Sequence, residues 1–242
     1  MEFNGHFLRS EVDLSNTDLC FLDASDLNLA GCNLKGANLT GANLRRVNLG
    51  NANLSFAKMK YADLSSAKLW HANLAGAYLW HSDMHCANLK ATVFSGADLS
   101  YADLTNSDLS RAVLSDAILL ETELRGVTLT RAKVLRVNLS NIDLRNTDLG
   151  GADFSGADLS GARLCGANLK SALLVGANLT GADLSDANLS EANMTDAILT
   201  DSNLSSANLV DANLYHAWTI EDAKTRGANL SGAKLPGGTI HE

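Results

Sequence analysis

The sequence predicts an all-β solenoid, and three observations predict it: a five-residue period, a register that never slips, and two inward-type positions in every repeat. Internal repeats are the first feature to seek in any chain. Taking every fifth residue from Leu14 to Leu214 gives 41 positions, of which 34 are Leu. The exceptions are Ala24, Met59, Met84, Phe94, Val134, Phe154 and Met194. Two residues earlier stands Ala at 26 of the 41 positions, with Val, Thr, Ser, Cys, Leu or Ile elsewhere, and between the two stands Asp or Asn at 29. The repeat therefore reads A-(D/N)-L-x-x, as in Ala37-Asn38-Leu39 or Ala182-Asp183-Leu184.

The period excludes the regular elements. Five residues of α-helix turn a side chain by about 140°, which would spread the Leu positions around every side. In a straight strand the Leu would switch faces at each repeat. Within one repeat, however, Ala and Leu lie two apart and share a face of an extended segment. The next Leu points inward only if the chain turns a corner between them. Short extended pieces separated by corners form a coil, and stacked coils form a β-helix. The period alone leaves the number of corners per coil open.

Arrays of A-(D/N)-L-x-x resemble the pentapeptide repeat family, and the resemblance covers nearly the whole chain. It implies a right-handed quadrilateral parallel β-helix with four repeats per coil and about 11–12 coils, a rod roughly 50–55 Å long at about 4.8 Å per stacked strand. Leu and Ala would fill a narrow interior, and a narrow interior explains Ala in preference to Val. Asp and Asn suit the corners because both bond nearby backbone. Gly36, Gly41, Gly161 and Gly181 stand at the last position, where tight turning favours glycine. A single proline, Pro236, fits a fold that needs its N–H groups for bonds between coils.

The chain reads as one domain over 1–242. Residues 1–11 are expected to form an N-terminal cap, since open solenoid ends need covering. Residues 12–214 are the regular coils. After Leu214 the register resumes at Leu230, sixteen residues on and one more than three repeats. Residues 215–227 are therefore expected to form an irregular excursion with a short helical turn. Residues 228–242 hold the last repeats and the C-terminal cap, an ending like that of long cyanobacterial members of the family.

Composition narrows the function. Net charge is −8 and hydrophobic content 46%, yet no apolar run approaches a membrane span or a signal peptide, so a cytoplasmic location is expected. Cys20, Cys32, Cys86 and Cys165 lack metal or redox spacing, and no disulfide is expected. No cofactor and no small-molecule substrate are implied, because a filled rod offers no pocket for convergent polar groups. His81, His85 and Cys86 form the best metal-like group, but the fourfold coil puts His81 and His85 on neighbouring faces, so no metal site is expected. The chain reads as a non-enzyme.

Residues that break the polar rule on the outside are the candidate partner-binding surface. On the face whose inward residues are Met59, Leu79, Leu99 and Leu119, the outward positions carry Lys58, Lys60, Tyr61, Tyr78, Trp80, His81, Tyr101, Ile118 and Leu120, with Phe21 two coils below Tyr61 in the same column. Aromatics with lysine at the edge match the composition of protein-interface anchors. The competing reading is an aromatic ladder that only ties coils together.

Two functions follow. The first is a non-catalytic protein-interaction scaffold or regulatory module, with monomer the expected state and the partner unnamed. The second is a DNA mimic that modulates gyrase, as in the quinolone-resistance branch of the family. Residues 171–223 carry eight acidic residues and no Lys or Arg, which suits a DNA mimic. Those acids are spread over all four expected faces, however, and Asp is the motif residue at 13 repeats. No projecting loops interrupt 14–214, and no long C-terminal helix is present to pair two rods. Direct nucleic-acid binding is disfavoured by the negative charge, despite Arg125, Arg131, Lys133, Arg136 and Arg145 in the basic segment 125–145.

Overall fold

One repeat shows why this sequence coils. In Ala37-Asn38-Leu39-Thr40-Gly41 all five backbone N–H groups have a partner, as buried polar backbone requires. Ala37 N–H donates to the Leu34 carbonyl and closes the turn at 3.0 Å. Asn38 N–H donates down to Thr17 at 2.9 Å, while Leu39 and Gly41 N–H donate up to Lys58 and Lys60 at 2.7 and 2.9 Å. Thr40 N–H, the one left over, donates to Oδ1 of Asn38 at 3.3 Å. The Asp or Asn therefore sits on the flat side of the coil, one residue from the corner expected for it, and its side chain reaches round to satisfy the corner's first N–H.

The computed structural model describes residues 2–3, 5–218 and 223–242. Bridges between residues 20 apart, such as Asp13↔Asn33 and Asn33↔Asn53, are all parallel, which makes four repeats per coil. The fold is the expected right-handed quadrilateral β-helix. Each side contributes one bridged residue, so the regular coils contain no extended strand. The corner's second residue has positive φ throughout, with glycine at some corners (Gly36, +66°) and L-residues at many others (Tyr61, +60°; Asp186, +56°).

The chain forms two compact units, Met1–Val127 and Thr128–Glu242. The first begins with an antiparallel pair, β1 (Glu2–Phe3) and β2 (His6–Phe7), in register Glu2↔Phe7 and Phe3↔His6. Leu8 is buried beyond it, and the coil ladder starts where Glu11 N–H donates to the Ala30 carbonyl at 2.9 Å. Inside, Leu39, Met59, Leu79 and Leu99 are buried with the Ala of each repeat beside them, and Phe94 is buried beside Thr92. Each buried Leu stabilises the fold by about 1.5–3 kcal/mol before the cost of chain ordering. Inward Thr92 and Thr122 donate to the carbonyls of Leu69 and Leu99. Inward Ser82 and Ser202 find no partner. Cys32 is buried as expected and its thiol meets the Arg9 carbonyl at 3.0 Å; all four cysteines are free thiols.

In the second unit the 20-residue spacing runs through Ile198↔Trp218 and then becomes 21, in Asn203↔Lys224, Asn208↔Asn229 and Asn213↔Lys234. The excursion expected over 215–227 is thus narrower than the sequence suggested. Tyr215–Trp218 keep the register, Lys224 has already rejoined it, and the extra residue falls between them. The expected helical turn lies on residues outside those described. At the end the chain reverses. Gly238 (φ +88°) closes a turn on Leu235, Ile240 pairs antiparallel with Lys234, and His241 N–H donates to Ala233 at 2.8 Å. The last residues thereby run antiparallel against the final repeat. Pro236 follows Lys234 and Leu235, so it occupies the position whose N–H normally needs an Asx acceptor, in a repeat that has none.

Side-chain ladders run along the faces. Asn38 Nδ2 donates to Asp18 Oδ1 at 3.2 Å and Asn48 to Asn28 at 2.9 Å, each one coil apart. Among the described residues no helix is long and apolar enough to cross a membrane.

Candidate functional site

The candidate surface lies entirely within the first unit, on one corner and one side of its coils. Corner positions recur every 20 residues, so Lys60 and Trp80 fall in one column and Tyr61, His81 and Tyr101 in the next. Rings in adjacent columns meet because neighbouring coils stand about 4.8 Å apart. His81 stacks on Tyr61 (centroids 5.6 Å apart, planes 17° from parallel) and on Tyr101 (4.8 Å, 19°). Trp80 presents its edge or face to all three, at 5.5 Å from Tyr61, 4.1 Å from His81 and 5.9 Å from Tyr101. Lys60 Nζ lies 3.9 Å above the Trp80 ring and 4.9 Å from Tyr61, a cation–π contact at both. Tyr61 keeps 54% and Tyr101 41% of its surface exposed, while Trp80 is half-buried among them.

Not all nine residues join this cluster. Lys58 and Tyr78 are bridge partners on the adjoining flat side, both exposed. One coil higher in that column stands Asp98, its carboxylate accepting the N–H and hydroxyl of Ser100, and only beyond it Ile118. Ser100 itself is buried between Trp80 and Leu120 in the corner column. Ile118 is therefore separated from Tyr78 by a polar residue, whereas Leu120, exposed like Ile118, stands one coil above Ser100 and beside Tyr101, whose N–H donates to its carbonyl at 2.8 Å. The sequence contained the signal, because Asp98 and Ser100 are read off the same 20-residue column.

Other outward aromatics have local structural roles. The rings of Phe21 and Phe56 cover Gly41 and Gly76 one coil above, and Trp70 covers Gly50 one coil below; a Cβ on any of these glycines would fall under 3 Å from the ring. Gly41 stands one coil beneath Tyr61 in the same column, but the atoms nearest it are those of Phe21, and Tyr61, His81 and Tyr101 stack on one another instead.

The acidic residues of 171–223 are arranged differently. Asp186, Glu191, Asp196 and Asp201 occupy four successive corners, so they ring the coil and form no stripe. Glu191 is held by the Ser171 hydroxyl and by Lys170 at 3.1 Å, which lower its carboxyl below the ordinary range. His81 and His85, weighed together as metal ligands, are separated: His81 belongs to the ring stack, and His85 Nδ1 lies 2.6 Å from Asp83 Oδ1. The sequence reading missed that second group, because Asp83 looks like an ordinary motif residue.

Against known proteins, the family model described as pentapeptide repeats matches in 8 copies between residues 32 and 218. No curated protein matches the chain. Among solved structures, the chain is similar to HetL, a pentapeptide repeat protein involved in heterocyst differentiation regulation from the cyanobacterium Nostoc sp. strain PCC 7120, at 31% identity over 96% of this chain and 92% of that one, with a TM-score of 0.31. It is also similar to a pentapeptide repeat protein of the Arabidopsis thaliana thylakoid lumen, at 33% identity over 43% of this chain and 69% of that one, with a TM-score of 0.33. QnrB1, a plasmid-mediated fluoroquinolone resistance protein, matches at 18% identity over 84% of this chain and 90% of that one, with a TM-score of 0.45.

Proposed function

The chain belongs to the pentapeptide repeat family, and on that premise we propose that it is a non-catalytic scaffold whose aromatic corner docks a protein partner. The carrying observation is the cluster of Tyr61, Trp80, His81 and Tyr101 with Lys60 laid across it. Tyrosine and tryptophan with a cation beside them supply large, rigid contact area at little entropy cost, which is why such groups dominate binding hot spots. The surrounding corners carry small or polar residues, or aromatics already spent on a glycine. A filled interior leaves the outer faces as the binding surface.

The test is affinity capture from cell extract with the wild-type chain and with Trp80→Ala and Tyr101→Ala, after thermal melts establish that both variants stay folded. A partner retained by wild type and lost by both variants supports the reading. Equal capture by all three overturns it. A supercoiling assay with DNA gyrase is the second arm, since inhibition or protection that survives both substitutions would move the functional surface to the acidic corners.

A further inference from the structure

On the side of the coil that follows the aromatic corner, the outward column reads Asn43, Asp63, Asp83, Asp103, Glu123, each bridged to the next. Elsewhere such columns are eased by asparagine, whose Nδ2 donates to the oxygen one coil below. Here carboxylate stacks on carboxylate, an arrangement that repels. Asp63 is relieved: Arg45 Nη1 lies 3.3 Å from its Oδ2, and Ser65 donates to its Oδ1. Asp83 and Asp103 have no lysine or arginine partner among the described residues. The nearest arginine up the corner column, Arg125, stands two coils above His85.

What stands there instead is an imidazole. His85 follows Asp83 by two residues, so its ring occupies the place that serine or threonine hydroxyls take beside other motif carboxylates. One ligand atom each from Asp83, His85 and Asp103 lies within 4.8 Å of the other two, and all three side chains are half-exposed. Oδ1 of Asp83 accepts the His85 N–H and lies 2.6 Å from His85 Nδ1, and Oδ1 of Asp103 accepts the Thr105 N–H at 2.8 Å, so one oxygen of each carboxylate is engaged locally. Cys86, though next in sequence, turns the following corner and lies outside the group.

We propose that Asp83, His85 and Asp103 bind a divalent transition-metal ion, with Zn2+ the fitting probe. Two carboxylates with one imidazole form a borderline donor set that suits Zn2+ better than ions preferring oxygen alone. The ion replaces repulsion between two coils with a shared ligand, and solvent completes its coordination.

The experiment is calorimetric titration of Zn2+ into the full, chelator-stripped chain. The expected result is one saturable site per chain. Losing an outer hydrogen-bond partner of a metal ligand costs roughly 10–100-fold in affinity, and His85→Ala and Asp103→Asn are expected to cost no less. Cys86→Ser and His216→Ala, as controls, bind as wild type. Because the altered side chains are half-exposed, metal-free melts of the variants should match wild type, and Zn2+ should raise the melting temperature of wild type and of the two controls but not of His85→Ala or Asp103→Asn. Wild-type affinity in His85→Ala, loss of binding in Cys86→Ser, equal binding of Ca2+, or weak uptake without saturation would each overturn the assignment.

Discussion

His81 lies nearly flat on Tyr101 one coil above it, with ring centroids 4.8 Å apart and planes 19° from parallel. The two are 20 residues apart, so the contact exists only because the coil has four sides. A stacked pair of this kind contributes about 0.5–1.5 kcal/mol beyond simple burial. A double-mutant cycle with His81→Ala and Tyr101→Ala, read by chemical denaturation, is therefore expected to show coupling at the lower end of that range, given the exposure of both rings. Coupling near zero would mean that the rings do not hold the coils together and are free to serve binding alone. Coupling above the range would favour the ladder role first weighed against the docking role.

How much of this was legible beforehand varies with the residue. Leu39 and Ala37 announce themselves through period and side-chain type together, since an inward position keeps apolar or small residues for two hundred residues. The fourfold coil is not in the period; it came from the resemblance, and the bridges supply it directly. Asn38 was half-read: hydrogen bonding to backbone was expected, but its place on the flat side depends on which N–H the ladder leaves unpaired. The aromatic corner was legible as a column. Asp98 and Ser100 stand in the same columns as polar breaks, and Asp83, His85 and Asp103 are hidden by the motif itself. A column shows which residues are neighbours, and only side-chain conformation shows which atoms meet.

Ser82 tests the interior. Its hydroxyl is buried without a partner where Ala is the rule, whereas Thr92 in an equivalent position donates to the Leu69 carbonyl. Leaving a buried hydroxyl unpaired costs about 1–3 kcal/mol. Ser82→Ala is expected to stabilise the first unit by about 1 kcal/mol, and Thr92→Ala to destabilise it. Denaturant midpoints for the two variants check the opposite signs, and a destabilising Ser82→Ala would show that the hydroxyl is satisfied.

Asp143 carries the clearest electrostatic prediction. Arg145 grips both carboxylate oxygens at 2.8 and 2.6 Å, and with help from the Arg145 N–H and from Arg163 it holds the carboxyl at about 2. The unfolded value is about 3.9. A depressed folded value means that the contribution is present above about pH 4 and is lost as pH falls toward 2. Because the pair is one-third to one-half exposed, solvent screening limits that contribution to under about 1 kcal/mol. Carboxyl NMR titration should place the wild-type midpoint near 2 and the Arg145→Ala midpoint higher. A wild-type midpoint at the ordinary aspartate value would refute the grip.

The left-handed corner makes glycine substitutions run against their usual sign. In a helix or strand, alanine is preferred to glycine by about 0.5–1 kcal/mol. At the second corner residue φ is +55° for Ala91 and +64° for Gly161, a region that costs L-residues about 1–2 kcal/mol. Ala91 has no side chain beyond Cβ to recover that cost, so Ala91→Gly is expected to stabilise its unit, by less than the full penalty because the unfolded chain gains freedom. Gly161→Ala is expected to destabilise by more than the backbone penalty alone, because the new Cβ would fall 2.5 Å from Oδ1 of Asn141 in the coil below. The pairing of Asn141 under Gly161 recurs with Asn16 under Gly36, Asn106 under Gly126 and Asn146 under Gly166, whereas Asn51 stands under His71. Replacing Asn141 by alanine in the Gly161→Ala background should therefore recover the steric part of the loss and leave the backbone part. Denaturation of the single and double variants separates the two, and an additive double variant would show that the close approach carries no energy.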